Sequence, residues 1–210
     1  PPHMSPGSDC IWRASALQAS PMGFFDGLDL RGKTMELAAL SKEEYKGKTF
    51  LTHYKTKGYL HIDACKDGFR FSYRAFGAEK EKSLKDTFFG DWLENPVAFG
   101  AFQDGRMVGF VEGSLETWNR RFRISNLCVF EESHRGRGVG GKLMRQILRT
   151  AKDCGARMAV LETQTCNEKA IAFYKKHGFQ IIGFDLYAYT NDDPEQNEIR
   201  LEMGLILPSP

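Results

Sequence analysis

Apolar and polar positions predict the elements unevenly along this chain. Glu36-Leu37-Ala38-Ala39-Leu40 is a short apolar run, and Ser41-Lys42-Glu43-Glu44 follows it with the Ser-x-x-Glu spacing of a helix capping box. Strand and then helix are expected there. From Tyr59 to Phe76 the pattern alternates, with Phe69, Phe71 and Tyr73 on one face and Lys66-Asp67-Gly68 as a turn, which predicts an additional hairpin. Ala78 to Lys85 is charged and reads as a solvated loop or a short helix.

The second half is more regular. Val97 to Phe102 and Met107 to Leu115 are apolar-rich runs joined through Asp104-Gly105, a pair that tolerates the positive φ of a type I′ hairpin turn. Phe122 to Phe130 supplies a third strand, so short connections alone predict three consecutive antiparallel strands. Val139, Leu143, Met144, Ile147, Leu148 and Ala151 then recur at helical spacing, and Cys154-Gly155 supplies the stop. Met158 to Leu161 reads as a buried strand, Asn167 to His177 as a helix ended by Gly178, and Phe179 to Tyr189 as a strand. Ile199, Leu201, Met203 and Leu205 alternate in the last one.

Composition narrows the function classes. The chain has 210 residues, enough for one mixed domain, expected over residues 22–207. Residues 1–21, rich in Pro, Ser and Ala without periodicity, are expected to be an appended or disordered leader, with Met22 as a native start and residues 208–210 as a tail. Lys and Arg number 29 against 27 Asp and Glu, so no global field calls for nucleic acid or a membrane. No run approaches the roughly 18 apolar residues that span a bilayer. The five cysteines lack zinc-site spacing and read as reduced thiols of a cytoplasmic protein; no metal is expected.

The candidate chemistry lies in Arg135-Gly136-Arg137-Gly138-Val139-Gly140-Gly141, a glycine-rich turn between a strand and a helix. Free backbone N–H groups and the positive helix end make such a turn a phosphate cradle. Three motifs fit it. Gly136-x-Gly138-x-x-Gly141 satisfies the dinucleotide fingerprint, with Glu162 near the place of the ribose-binding acid, but that fingerprint opens a β-α-β unit and antiparallel strands precede it here. Gly136-x-x-x-x-Gly141-Lys142 approximates a P-loop, yet Leu143 stands where a hydroxyl must hold magnesium. The third is Arg135-x-x-Gly138-x-Gly140 after the Leu127-Cys128-Val129 strand. With Asn167-x-x-Ala170-x-x-Phe173-Tyr174-x-x-x-Gly178-Phe179, it resembles the two motifs of the GNAT (GCN5-related) N-acetyltransferases.

The resemblance runs in element order from Leu37 to Leu207 and is specific from Ile124 to Phe179. Within the family the chain looks most like the streptothricin acetyltransferases, through Trp118-Asn119-Arg120, Leu161-Glu162-Thr163-Gln164 and Tyr189-Thr190-Asn191. It implies an α/β (α+β) GNAT fold: a central mixed, mostly antiparallel twisted sheet flanked by helices, with a splayed strand pair at the acetyl-CoA site. It also implies that Leu127, Cys128 and Val129 offer backbone groups to acetyl-CoA, that Arg135, Gly136, Arg137, Gly138, Val139, Gly140 and Gly141 hold its pyrophosphate, and that Asn167 and Tyr174 contact it. Lys142, Arg145, Lys175 and Lys176 are candidate partners for the remaining phosphate. Tyr174 matches the tyrosine that protonates the departing thiolate.

For the base, relatives carry an acid where this chain has Ser125-Asn126, so Glu162 is the candidate, with Glu112 and Glu116 behind it. Cys128 and Cys166 have no histidine placed to activate them, which favours direct attack by the amine. Asn191-Asp192-Asp193-Pro194-Glu195 is a concentrated negative loop that would draw a cationic acceptor. The expected activity is acetylation of a small, cationic primary amine such as streptothricin, by a monomer or homodimer. Protein lysine or N-terminal acetylation and a non-catalytic acetyl-CoA sensor are the alternatives.

Overall fold

The computed structural model describes residues 27–28 and 34–208. The expected leader, with Met22 and Cys10, lies outside the described residues, as do residues 209–210 of the tail. Strand β1 (Gly27–Leu28) and β2 (Thr34–Ala39) lead into a one-turn helix α1 (Lys42–Tyr45), whose cap is the predicted one: Ser41 Oγ accepts from the Glu44 N–H at 3.3 Å.

The predicted hairpin is much longer than its alternating stretch. It comprises β3 (Thr49–Cys65) and β4 (Gly68–Thr87), a two-stranded sheet of its own. Ala78 to Lys85, expected as loop or helix, is therefore strand. Glu79, Glu81 and Lys85 sit on outward positions while Lys82, Leu84 and Asp86 alternate inward opposite Tyr54, Thr52 and Phe50. The register shifts between Thr56 and Gly58, where the buried Thr56 hydroxyl donates to the Gly58 carbonyl at 2.8 Å.

β5 (Val97–Gln103) and β6 (Arg106–Glu116) turn through Asp104 and Gly105 at φ 51° and 74°, the left-handed pair that the sequence predicts. β7 (Arg121–Val129), α2 (Val139–Asp153), β8 (Met158–Gln164), α3 (Glu168–Lys176), β9 (Gln180–Asp185), α4 (Asp193–Gln196) and β10 (Arg200–Ile206) complete the chain. Strand β9 stops well before Tyr189, because Asp185 Oδ1 accepts from the Tyr187 N–H at 3.1 Å and turns the chain away.

Among the described residues, eight strands form one sheet in the order β1-β2-β5-β6-β7-β8-β10-β9, antiparallel throughout except for β7 beside β8. Alternation divides its inner strands between two cores. Val111 and Leu127, paired across β6 and β7, join the cluster containing Leu143, Met144 and Ile147 of α2; their neighbours Phe110 and Cys128 join one with Phe50, Phe88 and Phe89. Each large aliphatic side chain of α2 so buried contributes roughly 1.5–3 kcal/mol. The second cluster roots the base of the long hairpin on the sheet.

Strand β7, helix α2 and strand β8 are a β-α-β unit with parallel neighbours, so antiparallel strands before the glycine segment do not argue against a dinucleotide fingerprint as the sequence reading held. What separates the two folds lies elsewhere. Antiparallel β10 occupies the place beside β8, and β7 and β8 stay in register only from Arg121–Met158 to Ile124–Leu161.

Candidate active site

Beyond Ile124, β7 and β8 part. Residues 126–129 keep their partners on β6, with Ser125 bulged out of the ladder, yet among the described residues no strand faces them on the β8 side, whereas β8 remains paired with β10 through Gln164. A cavity of about 1430 Å³ opens along this gap and reaches the start of α2. Leu127, Cys128, Val129, Arg135, Gly136, Arg137, Gly138, Gly140, Gly141, Glu162, Asn167 and Tyr174 all line it, whereas Val139 of the glycine segment does not, its side chain being buried in the main core.

The cavity divides by charge. At one end, Gly136 and Gly138 adopt φ of 74° and 89°, and a Cβ at either would meet nothing within 4 Å. Gly138 is the N-cap of α2, which has no side-chain cap and no acidic residue in its first turn, and the first intrahelical bond reaches back from Lys142. The N–H groups of Val139, Gly140 and Gly141 thus precede the helix ladder at its positive end. Arg137, Lys142, Arg145, Lys169 and Lys176 surround the same end; Lys175 does not line it. Gly140 lies where a Cβ would touch the Phe173 ring at 3.4 Å, an ordinary contact, so α2 and α3 pack closely at this point. These features fit a pyrophosphate-bearing acyl carrier: an open nest of N–H groups, cations beyond it, and a slot between strands for an extended arm.

Arg135 turns the other way. Its guanidinium donates to the Val129 carbonyl at 3.1 and 3.2 Å and to the His53 carbonyl, tying the glycine turn to strand β3. Asn167 caps α3, its Oδ1 accepting from the Ala170 N–H at 3.3 Å. Tyr174 is buried beside Phe173 and Phe179, and burial, with a smaller contribution from Cys128, pushes its phenol up. Burial likewise raises the Cys128 thiol, to about 12, which removes it as a nucleophile.

The other end mixes the two signs: Asp86, Glu162, Glu198 and Glu202 stand on its walls, and Arg200, Lys82 and Arg123 beside them pair with Glu162, Glu198 and Glu202, which leaves Asp86 as the carboxylate without a cation partner among the described residues. Glu162 sits 3.7 Å from Arg200 and accepts from the Tyr189 hydroxyl at 3.4 Å. Glu116 does not line the cavity. Although its burial opposes ionisation, Arg123 at 2.6 Å, Asn119 and Arg121 hold its carboxyl below the usual range. Glu112 is wholly buried without a cation, accepting from the Phe89 N–H at 2.6 Å, Asn126 Nδ2 at 3.2 Å and Ser125 Oγ at 3.4 Å; its desolvation raises the carboxyl.

The negative loop of the sequence reading is not part of this wall. Asp193 is buried in α4, where it accepts from the N–H groups of Tyr189 and Thr190 and from the Thr190 hydroxyl, and none of residues 191–195 lines the cavity. Asp86 and Glu198 take its place, and sequence reasoning missed both. The alternation Lys82-Leu84-Asp86 was the available signal, hidden by the surrounding charge.

The long hairpin crosses the Asp86 half of the cavity. Tyr54 Oη donates to Gln164 at 3.1 Å, Lys82 pairs with Glu198, and Glu168 accepts from the Lys57 N–H at 2.8 Å and the Tyr73 hydroxyl at 2.9 Å.

Comparison with known proteins agrees with this architecture. The Acetyltransferase (GNAT) family profile matches residues 62–179. A streptothricin acetyltransferase of Streptomyces lavendulae is 36% identical over 132 residues, covering 63% of this chain and 64% of that protein, so the match spans less than two thirds of that relative. The crystal structure of a nourseothricin acetyltransferase superposes with a TM-score of 0.66 at 28% identity, over 83% of this chain and 99% of that one. A Bacillus anthracis str. Ames protein in complex with acetyl coenzyme A shares the fold, with a TM-score of 0.65 at 22% identity over 83% of this chain and 98% of that one. The chain belongs to the GNAT acetyltransferase family.

Proposed function

We propose that this protein transfers an acetyl group from acetyl-CoA to a primary amine of a small cationic molecule of the streptothricin type, by direct attack of the amine. The observation that carries the reading is the polarised cleft. Its basic, glycine-lined end suits phosphates, its other end presents the Asp86 carboxylate without a cation beside it among the described residues and so suits a cationic acceptor, and the gap between β7 and β8 joins them. Likeness to the streptothricin and nourseothricin acetyltransferases points to the same class of acceptor.

Acetyl-CoA supplies an activated acetyl thioester, and its transfer requires a held carbonyl, a neutral nitrogen and a proton for the thiolate. Residues 125–129 offer backbone groups on the open side of β7 to fix the pantetheine arm and polarise the carbonyl. The backbone of residues 136–141 binds the pyrophosphate over the start of α2. Asn167 adds a contact while capping its helix. Tyr174, protonated because it is buried, delivers the proton to the leaving sulfur. Glu162 faces the acceptor end and takes up the amine proton, directly or through water.

The hairpin favours a small acceptor over a polypeptide. Its links to Gln164, Glu198 and Glu168 bridge the Asp86 half, where a protein substrate would need an open groove. A thiol-release assay with acetyl-CoA, comparing streptothricin, polyamines, aminoglycosides and lysine-containing peptides, tests this. Release with the small cations and not with peptides is expected; preference for peptides would assign the chain to protein acetylation.

A further inference from the structure

We infer that the segment from Leu84 to Trp92 is the acceptor-recognition element of this cleft, Asp86 receiving the ammonium of an alkyl amine while Leu84 and Trp92 hold its methylene chain. The inference rests on the amine-acetyltransferase reading and deepens it.

Register places the residues. Lys82, Leu84 and Asp86 share the inward face of β4, and all three line the cavity with Thr52 and Tyr54 of β3. The root of the segment is fixed, because Phe50, opposite Asp86, and Phe88 and Phe89 after it are buried in the second core cluster. Asp86 is therefore held rather than swinging on a loop.

The three charged or apolar groups differ in what satisfies them. Lys82 is already paired with Glu198. Asp86 accepts from its neighbour Thr87 N–H at 2.8 Å and from Asn126 Nδ2 at 3.4 Å, both neutral donors, and has no cation within 4.0 Å among the described residues. Asn126 lies just beyond the last parallel pair of β7 and β8, so this carboxylate stands where the strands open. Asn126 also holds the buried Glu112, whose ionised form is disfavoured chiefly by desolvation and to a smaller degree by the charge of Asp86. A bound ammonium would relieve that repulsion.

The second observation is apolar and independent of the carboxylates. Leu84 and Trp92 are 46% and 66% exposed, yet both lie on the cavity wall. Large exposed apolar side chains inside a polar cleft mark a place for a ligand's carbon skeleton, and an indole face also attracts a cation. A positive head on a methylene chain matches both features.

The test uses the full chain with Asp86→Asn, Trp92→Phe, and Glu81→Gln as a control on the outward face of the same strand. With streptothricin as acceptor, Asp86→Asn should raise the amine KM by about tenfold or more, the loss expected for a charge-assisted bond. The acetyl-CoA KM should stay within about twofold, and Glu81→Gln should match the wild type. Titration of wild-type protein with n-butylammonium chloride should change the tryptophan emission, and that change should vanish in Trp92→Phe and weaken in Asp86→Asn. An unchanged amine KM in Asp86→Asn, or an emission response that survives Trp92→Phe, would overturn the inference. The titration needs no turnover, so it decides on this segment even if the chain acetylates no amine; a silent wild-type titration counts against the segment.

Discussion

Ile124 and Leu161 are the last residues at which β7 and β8 lie in register. Every feature of the cleft follows from that parting. The strand groups beyond it have no ladder partner on one side, the glycine turn lies at one end of the gap, and the carboxylates of β4 and β8 line the other. A slot between two strands of a sheet gives an extended acyl carrier the hydrogen bonds that a missing strand would have made.

The left-handed conformation of Gly138 is needed to start α2 over the phosphate nest. Gly138→Ala places a Cβ on a φ of 89°, a strain of about 1–2 kcal/mol, while the space around it stays open. Calorimetric titration with CoA should show affinity lower by about tenfold, with the amine KM little changed.

Tyr174→Phe preserves the packing against Phe173 and Phe179 and removes only the phenolic proton. Turnover should fall by about 10²-fold while CoA affinity is retained. An unchanged rate would remove Tyr174 from the chemistry and leave it as a core residue.

The buried Glu112 makes stability depend on pH. Its carboxyl titrates higher in the folded protein than in the unfolded chain, chiefly through desolvation. The folded state then binds the proton more tightly, so this contribution is complete below the unfolded pKa and is lost as pH rises through the folded one. Glu112→Gln keeps an oxygen for the Phe89 N–H without the charge. Its Tm should exceed that of the wild type above this window and approach it in acid.

Arg135 fastens the glycine turn to the hairpin through the carbonyls of Val129 and His53. Removing it in Arg135→Ala forfeits charge-assisted bonds worth about 1.5–3 kcal/mol each. Hydrogen exchange should quicken in residues 49–56, and acceptor KM should rise more than acetyl-CoA KM.

Much of this was readable from the residues, and the exceptions share a cause. Asp104-Gly105, the Ser41 cap and the 139–151 periodicity are local signals, and each gave the element observed. Most glycine-segment positions and Tyr174 line the cavity, and their places are set by short spacing around one turn and one helix. Asp86 was missed because its setting is tertiary. A strand that carries Glu79, Glu81 and Lys85 on its outward positions looks solvated, and only its pairing with β3 and the cavity it borders show that Lys82, Leu84 and Asp86 face inward. Asp193 failed in the opposite direction: charge density suggested an open negative loop, whereas backbone N–H groups of residues 189 and 190 consume its carboxylate. The β-α-β unit escaped notice because the single parallel pairing of β7 and β8 is made across α2, beyond the reach of adjacent-strand reasoning.

The most direct test of the account is to incubate the protein with isotope-labelled acetyl-CoA and streptothricin and follow the label by mass spectrometry. The polarised cleft predicts one labelled acetyl group on an amine nitrogen of the antibiotic, with free CoA released in equal amount. Label that stays on CoA while the protein binds it tightly would contradict catalysis and mark the chain as an acetyl-CoA-binding module.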